Sequence, residues 1–419
     1  MIYLVSMYYA PVVNPPANRM AQFNRCLSLS CGSESIRVVT GRPNYPDGVL
    51  RSGFRFHLWK NTLGPEAEAI IHLYEAPAPF RGLYRKTLGM VTFATSLWFF
   101  LTFRRYSRED LVIVTSGPGF NILAVYFASI FNRRLRFVLD IRDLWPQAVA
   151  GMGFLRQSGL PYRFLDAMVR KAYERAVALI GVEEGIIDVL SSYKPPQNVL
   201  CLRNPVDTSV FRPLPDNERE SFRQEHPSIF VDGRRVVTYC GTFATYSGLP
   251  NLLAALALLS KARPDIHFLL IGQGEIEGEL RSTIEKDRLQ RQVTILPFQP
   301  REDCVKFINA GDACFAALKN DPVFESATPT KVLEYLACGM PVIAALDGPF
   351  AHKLKEGQTA HICSRGNPQA LADLLSKVLV ESGQISTSDA RSLIEQEYGV
   401  STFNNNLSTF LEPLIGSAE

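Results

Sequence analysis

Short runs of β-branched and other apolar residues alternate along the chain with segments whose apolar positions recur at helical spacing. The runs at 2–6, 36–41, 69–75, 111–116, 135–141 and 177–182 read as strands. So do those at 199–203, 236–241, 267–272, 293–297, 313–318, 341–346 and 359–363. Helical periodicity covers 249–262, 275–289 and 367–381, and 388–415 reads as helix with no strand after it. Strands apolar along their whole length and separated by helices predict an α/β fold with parallel sheets covered on both faces. Roughly a dozen strands suit two such sheets better than one. The Pro-rich polar stretch from Lys194 through Asn204-Pro205 predicts the break between them. No repeat of solenoid period is present. In open α/β sheets ligands sit beyond the carboxyl ends of the strands, so the residues just after each run are the ones to inspect.

One apolar segment breaks this rhythm. Thr87–Phe103 carries no charge, with Arg81, Arg85 and Lys86 before it and Arg104, Arg105 and Arg108 after it. It is shorter than a membrane span and includes five Ser/Thr and a glycine. Two readings stay open: a core helix with solvated ends, or a helix lying in a membrane interface with its arginines on anionic headgroups. The run Phe120–Phe131, followed by Arg133, Arg134 and Arg136, repeats the apolar-then-basic theme and favours peripheral membrane contact.

Composition narrows the class. The 419 residues are 47% hydrophobic and 20% charged, which excludes a disordered, collagen-like or disulfide-stapled chain. A net charge of +3 gives no overall field for nucleic acid, but residues 1–190 carry +8 and 191–419 carry −5. The basic half is the one expected to face an anionic surface or substrate. None of the eight cysteines forms a Cys-x-x-Cys pair, which reads as reduced thiols in a cytosolic protein. Met1-Ile2-Tyr3-Leu4-Val5 lacks a basic leader and reads as a first strand, not a signal peptide. The six histidines have no metal-ligand spacing and no Asp-x-Asp occurs, so no metal is expected.

Three places could carry chemistry. In Thr328-Pro329-Thr330-Lys331, Thr328 suits an N-cap and Pro329 the first helical position, and Gly339 ends the helix. Free amides, the helix dipole and Lys331 together suit an anion. Glu334, one turn on, suits a hydroxyl pair such as a ribose diol. The plain alternative is a Lys–Glu pair on an ordinary capped helix. Gly241 with Thr242, and Gly272 with Gly274, end strands and open helices, permitting close backbone approach to phosphate. Neither makes a dinucleotide fingerprint, and there is no phosphate-loop lysine motif. In the basic half the strand at 135–141 runs into Arg142-Asp143-Leu144-Trp145-Pro146, a carboxylate and a guanidinium at a sheet edge. A buried ion pair is the alternative there. The loop after the first strand, through Asn18 and Arg19, is a further candidate wall.

Together these segments resemble retaining glycosyltransferases of family four, with the GT-B fold of two Rossmann-like domains facing a cleft. The resemblance rests on YYAPVVNPPANRM, TGRPNYPDG, LVIVTSGPG, LDIRDLWPQ, LRNPVDTSVFRP, YCGTF, LLIGQGE and PTKVLEYLACGMPVIA. RDLWP with PTKVLEYLACGMPVI is similar to the L-fucosamine-transferase-like enzymes of bacterial surface polysaccharides. The resemblance implies an acceptor-side domain over 1–198, a nucleotide-sugar domain over 199–393, and a helix at 394–419 crossing back onto the first. It implies a nucleotide-diphosphate sugar as co-substrate, UDP favoured, with no cofactor. It also implies a polyprenyl-diphosphate-linked saccharide acceptor and peripheral attachment to the inner face of the cell membrane through residues 81–108.

By the same resemblance Glu334 is the ribose-binding carboxylate of the family's Glu-seven-residues-Glu motif. The first Glu falls at Ser326, beside Glu325. Thr242 and Ser247 stand where the family places Arg and Lys, which leaves Lys331 and the helix amides for phosphate, helped by Arg19 or Arg142. Asn204-Pro205 replaces the family's Asn-Gly hinge. Asp143 lies where the family contacts acceptor or reacting sugar, with Asn18, Arg19 and Trp145 around it. The competing classes are a sugar-nucleotide epimerase on the same architecture, a nicotinamide oxidoreductase, and a non-catalytic partner in polysaccharide assembly.

Overall fold

The computed structural model describes residues 1–12, 14–44, 50, 54, 59–65, 68–76, 83–151, 153–325, 327–379 and 387–416. It divides into two units, Met1–Asn204 with Phe403–Glu419, and Pro205–Thr402.

The first unit is built on eight strands: Ile2–Ser6 (β1), Ile36–Thr40 (β2), Trp59–Leu63 (β3), Ala69–Leu73 (β4), Leu111–Thr115 (β5), Phe137–Ile141 (β6), Ala178–Gly181 (β7) and Val199–Cys201 (β8). Their order is β3-β4-β2-β1-β5-β6-β7-β8. All pairs are parallel except β3 with β4. β1, β5, β6 and β7 are buried along their entire length, which is why each reads as a continuous apolar run. β3 escapes sequence reading because WKNTL is an edge strand with exposed and half-buried residues alternating.

Several helices pack beside these strands, three of them in the first part of the chain. Pro15–Cys31 (α1) begins at Asn14, whose side chain accepts from the Ala17 amide at 2.9 Å, followed by two prolines. Leu83–Phe103 (α2) buries Phe93, Leu97 and Leu101, while Val91, Phe99 and Phe103 on another face are exposed. Phe120–Phe131 (α3) follows β5. No helix among the described residues is long and apolar enough to cross a membrane.

The second unit carries Arg235–Cys240 (β9), Ile266–Ile271 (β10), Val293–Leu296 (β11), Ala313–Ala317 (β12), Val342–Ala345 (β13) and His361–Cys363 (β14). They form a six-stranded parallel sheet in the order β11-β10-β9-β12-β13-β14.

Two boundaries differ from the sequence reading. Val199–Cys201 pairs with β7, so the first unit continues to Asn204. The segment 388–415 is two helices, Thr387–Tyr398 and Val400–Gly416, broken at Gly399. Phe403, Leu407 and Leu411 of the latter are buried in the first unit's core with Met20, Phe23 and Leu27 of α1.

A buried ion pair locks this unit. Arg19 is 2% exposed, and its Nη2 donates to Asp140 Oδ1 at 2.7 Å. Its Nη1 donates to Asn204 at 3.2 Å, and its guanidinium lies 5.3 and 5.6 Å from the ring centroids of Phe23 and Phe403. Breaking a buried pair leaves an uncompensated charge. Asp140→Ala is therefore expected to lower unfolding free energy by about 3–5 kcal/mol, while Arg19→Met with Asp140→Leu regains most of the loss. Urea denaturation of the three proteins checks this.

Candidate active site

The carboxyl end of β9 meets the helix Thr330–Ala337, and the loop after β10 packs against the loop after β9. The two loops approach so closely that a Cβ on Gly272 would lie 1.9 Å from the Gly241 carbonyl oxygen. A Cβ on Gly274 would lie 2.3 Å from that of Phe243. Glycine is required at both places by contact, without any dinucleotide fingerprint. The helix is capped by Pro329, with no side-chain cap, so Thr328 lies one position outside the expected N-cap and Thr330 opens the helix.

Lys331 Nζ donates to the Tyr239 hydroxyl at 2.7 Å and sits 4.2 Å from that ring's centroid. The Tyr239 hydroxyl in turn donates to the Thr242 carbonyl at 2.9 Å, which ties lysine and loop together. A Cβ on Gly241 would come within 3.2 Å of Nζ. Glu334, one turn on, is met by Arg301 Nη2 at 3.4 Å. Burial pushes its carboxyl above the usual range, and Arg301 and Lys331 oppose that shift. Tyr335, facing the other way, accepts from the Cys240 amide at 2.8 Å and donates to the Cys240 carbonyl. One helix thus fixes the end of β9 and presents Lys331 and Glu334 beside it.

The structure brings Lys331, Glu334, Thr330, Gly241, Thr242 and Gly272 around these loop ends. Glu325 is exposed, and its backbone carbonyl packs where a Cβ on Gly348 would stand. Ser326 lies outside the described residues. Ser247 is buried and its hydroxyl makes no hydrogen bond. Arg301 and Tyr239 as partners of Glu334 and Lys331 were missed by sequence reasoning. A lone arginine after Pro300 carries no motif, and the tyrosine sits inside an apolar strand.

In the first unit, Arg142, Asp143 and Trp145 follow β6. The Arg142 amide donates to Ser116 Oγ at 2.8 Å, and its guanidinium Nη1 is buried without a hydrogen-bond partner. Burial lowers the Arg142 pKa, opposed by Asp140 and Asp143. Solvent reaches Asp143, yet the protein crowding it raises its carboxyl, against the pull of Arg142. Trp145 is buried against Gly119, where a Cβ would lie 2.4 Å from the ring. Asn18 is exposed on α1, whereas Arg19 points inward to Asp140 and Asn204. Arg19 is thus committed to a structural pair, while the Nη1 donor of Arg142 is unmet.

Glu75, which the sequence reading passed over, lies just beyond β4. It is 3% exposed, accepts from Asn44 Nδ2 at 2.7 Å, and its Oε2 makes no hydrogen bond. Burial raises its carboxyl from 4.5 to about 7, opposed by Asn44 and Arg42.

Residues 220–398 match the family described as Glycosyl transferases group 1, a stretch inside the second unit. "Probable glycosyltransferase WbjE" of Pseudomonas aeruginosa is 21% identical over 323 residues, spanning 75% of this chain and 77% of the relative. The solved structure of HepE from Anabaena in complex with UDP superposes with a TM-score of 0.69 at 16% identity, covering 98% of this chain and 99% of that one. WaaG, a glycosyltransferase involved in lipopolysaccharide biosynthesis, does so with 0.68 at 15% identity, covering 98% and 99%. The fold is that of the GT-B glycosyltransferases, and the second unit carries the group 1 glycosyl transferase pattern.

The Glu75 geometry makes a pH prediction. Its folded pKa lies above its unfolded value, so the folded state binds the extra proton between roughly pH 4.5 and 7. Its stabilising contribution is full below pH 4.5 and is lost as pH rises through 7. Glu75→Gln should therefore gain stability relative to the parent on going from pH 5 to 8, by up to about 3 kcal/mol. Denaturant midpoints at the two pH values measure it.

Proposed function

We propose that the protein is a retaining, metal-independent hexosyltransferase. It moves a sugar from a nucleotide-diphosphate sugar, with UDP the favoured nucleotide, to a lipid-linked saccharide in bacterial surface polysaccharide synthesis. The observation that carries this reading is that Lys331 and Glu334 stand one turn apart beside the end of β9. Supporting it are the family match over this unit, the UDP bound to the structurally similar HepE, and the lipopolysaccharide role of WaaG. The resemblance to the L-fucosamine-transferase-like subgroup supplies the finer assignment. In this reading the enzyme works at the cytoplasmic face of the membrane, attached peripherally through residues 81–108, of which Arg81 lies outside the described residues and Val91, Phe99 and Phe103 are exposed.

In the proposed mechanism Glu334 accepts hydrogen bonds from the ribose hydroxyls, and Thr330, Lys331 and the first-turn amides hold the diphosphate. Gly241, Thr242 and Gly272 let that backbone come close. Glu325, exposed ahead of this helix, is the side chain proposed for the donor sugar. The glycosidic carbon–oxygen bond breaks with its electron pair leaving on the diphosphate. Lys331 and the fixed helix dipoles stabilise that charge without reorganising. Asp143 orients the acceptor hydroxyl, Arg142 neutralises acceptor phosphate, and Asn18 and Trp145 border the acceptor. The hydroxyl attacks the face the diphosphate leaves and passes its proton to the departing diphosphate oxygen, which retains the configuration.

A thermal-shift panel with UDP, GDP, dTDP, ATP and NAD tests this reading. One nucleoside diphosphate is expected to stabilise the protein by about 2.7 kcal/mol at a hundred times its dissociation constant. Glu334→Ala and Lys331→Ala should each abolish the shift. Stabilisation by NAD alone, or by nothing, overturns the reading.

A further inference from the structure

Successive side chains of a strand point to opposite faces of its sheet. Along β9, Val237 and Tyr239 are buried in one core, and Val236 and Cys240 in another. The helix Arg301–Ala310 covers the second face through Val305, Phe307 and Ile308, and runs back along the strand. Just past its carboxyl end Asp312 accepts from the Val236 amide at 2.7 Å. Midway, Thr238 Oγ1 donates to the Phe307 carbonyl at 3.3 Å. Two residues further along β9, about 6.6 Å, comes Cys240, and three residues back along the helix, about 4.5 Å, comes Cys304. This register sets the two cysteines against each other, and Cys304 packs on the cluster that contains Cys240.

Their environments differ. Cys240 is buried, with its amide and carbonyl both held by the Tyr335 hydroxyl. Cys304 is half-buried in the first turn of its helix, its Sγ 3.6 Å from the Gln299 carbonyl oxygen. Each thiol acts on the other. Contact with Cys240 pulls the Cys304 thiol down, against burial, Glu334 and Asp303 and with the help of Arg301. Contact with Cys304, then burial, pushes the Cys240 thiol up. The outer cysteine is thus both the one that ionises and the one that solvent reaches, as a nucleophilic thiol requires. The inner cysteine stands behind it as a resolving partner.

We propose that Cys240 and Cys304 form a reversible disulfide on exposure to a hydroperoxide, and that this bond weakens nucleotide binding at the adjoining loops. The disulfide stands on the thiol geometry alone, whereas its effect on nucleotide rests on the transferase reading above. The Cys304 thiolate attacks one oxygen of the hydroperoxide. The O–O bond breaks, the other oxygen leaves and takes up a proton, and Cys304 is oxidised to a sulfenic acid. The Cys240 sulfur then attacks Cys304 Sγ, the S–O bond breaks, and hydroxide leaves with the Cys240 proton as water. Two thiols and one hydrogen peroxide thereby give one disulfide and two waters. An added dithiol returns both cysteines to thiols by exchange.

The pair borders the candidate site twice. Cys240 directly precedes Gly241, and Arg301, in the same helical turn as Cys304, meets Glu334 at 3.4 Å. Two sulfurs come closer in a bond than in a contact, so the disulfide draws the first turn of the helix toward β9 and Arg301 with it. That displaces the guanidinium which favours the ionised form of Glu334. A protonated Glu334 accepts fewer hydrogen bonds from a ribose diol.

Peptide mapping of the full chain after hydrogen peroxide, with remaining thiols alkylated in denaturant, tests the pair. The expected product is a peptide linked through Cys240 and Cys304 that dithiothreitol removes. Dimedone, which traps sulfenic acids, should label Cys304 in Cys240→Ala and leave Cys240 unlabelled in Cys304→Ala. The dissociation constant for UDP should rise at least about tenfold in the oxidised parent and recover with dithiothreitol. Peroxide should leave it unchanged in Cys304→Ala, whose binding of UDP also shows that the variant folds. No linkage between these two cysteines, or linkage of either one to another cysteine instead, overturns the inference. So does a disulfide that leaves UDP binding unchanged. A reduced parent that binds no nucleotide yet forms the linked peptide counts against the transferase reading: the thiol pair then stands and its effect on nucleotide falls.

Discussion

The guanidinium of Arg19, held inside the first unit by Asp140, ties together parts of that unit far apart in sequence. It reaches from α1 to strand β6, to Asn204 beyond the last strand, and lies beside the rings of Phe23 and Phe403. A buried charge of this kind tolerates only one arrangement of its partners. Asp140 lies two residues before Arg142 and three before Asp143, so the pair also fixes where β6 delivers its loop. That loop is completed by Trp145 against Gly119 and by Ser116 on the Arg142 amide. The geometry of this loop is therefore set by a polar lock below the sheet edge as much as by the loop's own residues.

The second unit solves the same problem with backbone contact. Gly241, Gly272 and Gly274 let adjoining loops touch carbonyl to Cα, and Tyr239 and Tyr335 clamp the end of β9 from opposite sides. The result is a rigid rim on which one short helix can place a cation and a carboxylate. Both units owe this to parallel strands buried on both faces, which end together at one edge and leave their loops as the positions free to vary.

Most of the strand pattern was legible because β1, β5, β6, β9, β10 and β12 are nearly or fully buried along their length and hence apolar without interruption. β3 was not, since an exposed antiparallel edge needs no such run. The cut at 198 fell short because β8 is only three half-buried residues, whose membership of a sheet is decided by pairing with β7 and not by their own sequence. At the site, Lys331, Glu334 and the glycines were legible from a helix start and two strand ends. Arg301, Tyr239 and Glu75 were not. Each gains its role from a partner far away in sequence, and Glu75 gains its raised pKa only from burial.

The return of Phe403, Leu407 and Leu411 to the core around α1 makes the second unit an insertion within the first. During synthesis the ribosome emits residues 205–402 before that last helix appears, a delay on the order of ten to forty seconds at ordinary elongation rates. For that interval Met20, Phe23 and Leu27 lack their closing layer, and the ring of Phe403 is missing from beside Arg19. The nascent first unit thus exposes an apolar seam that only the helix carrying Phe403, Leu407 and Leu411 can seal. How long that seam stays open during translation is accordingly set by the length of the inserted unit, not by the composition of the first.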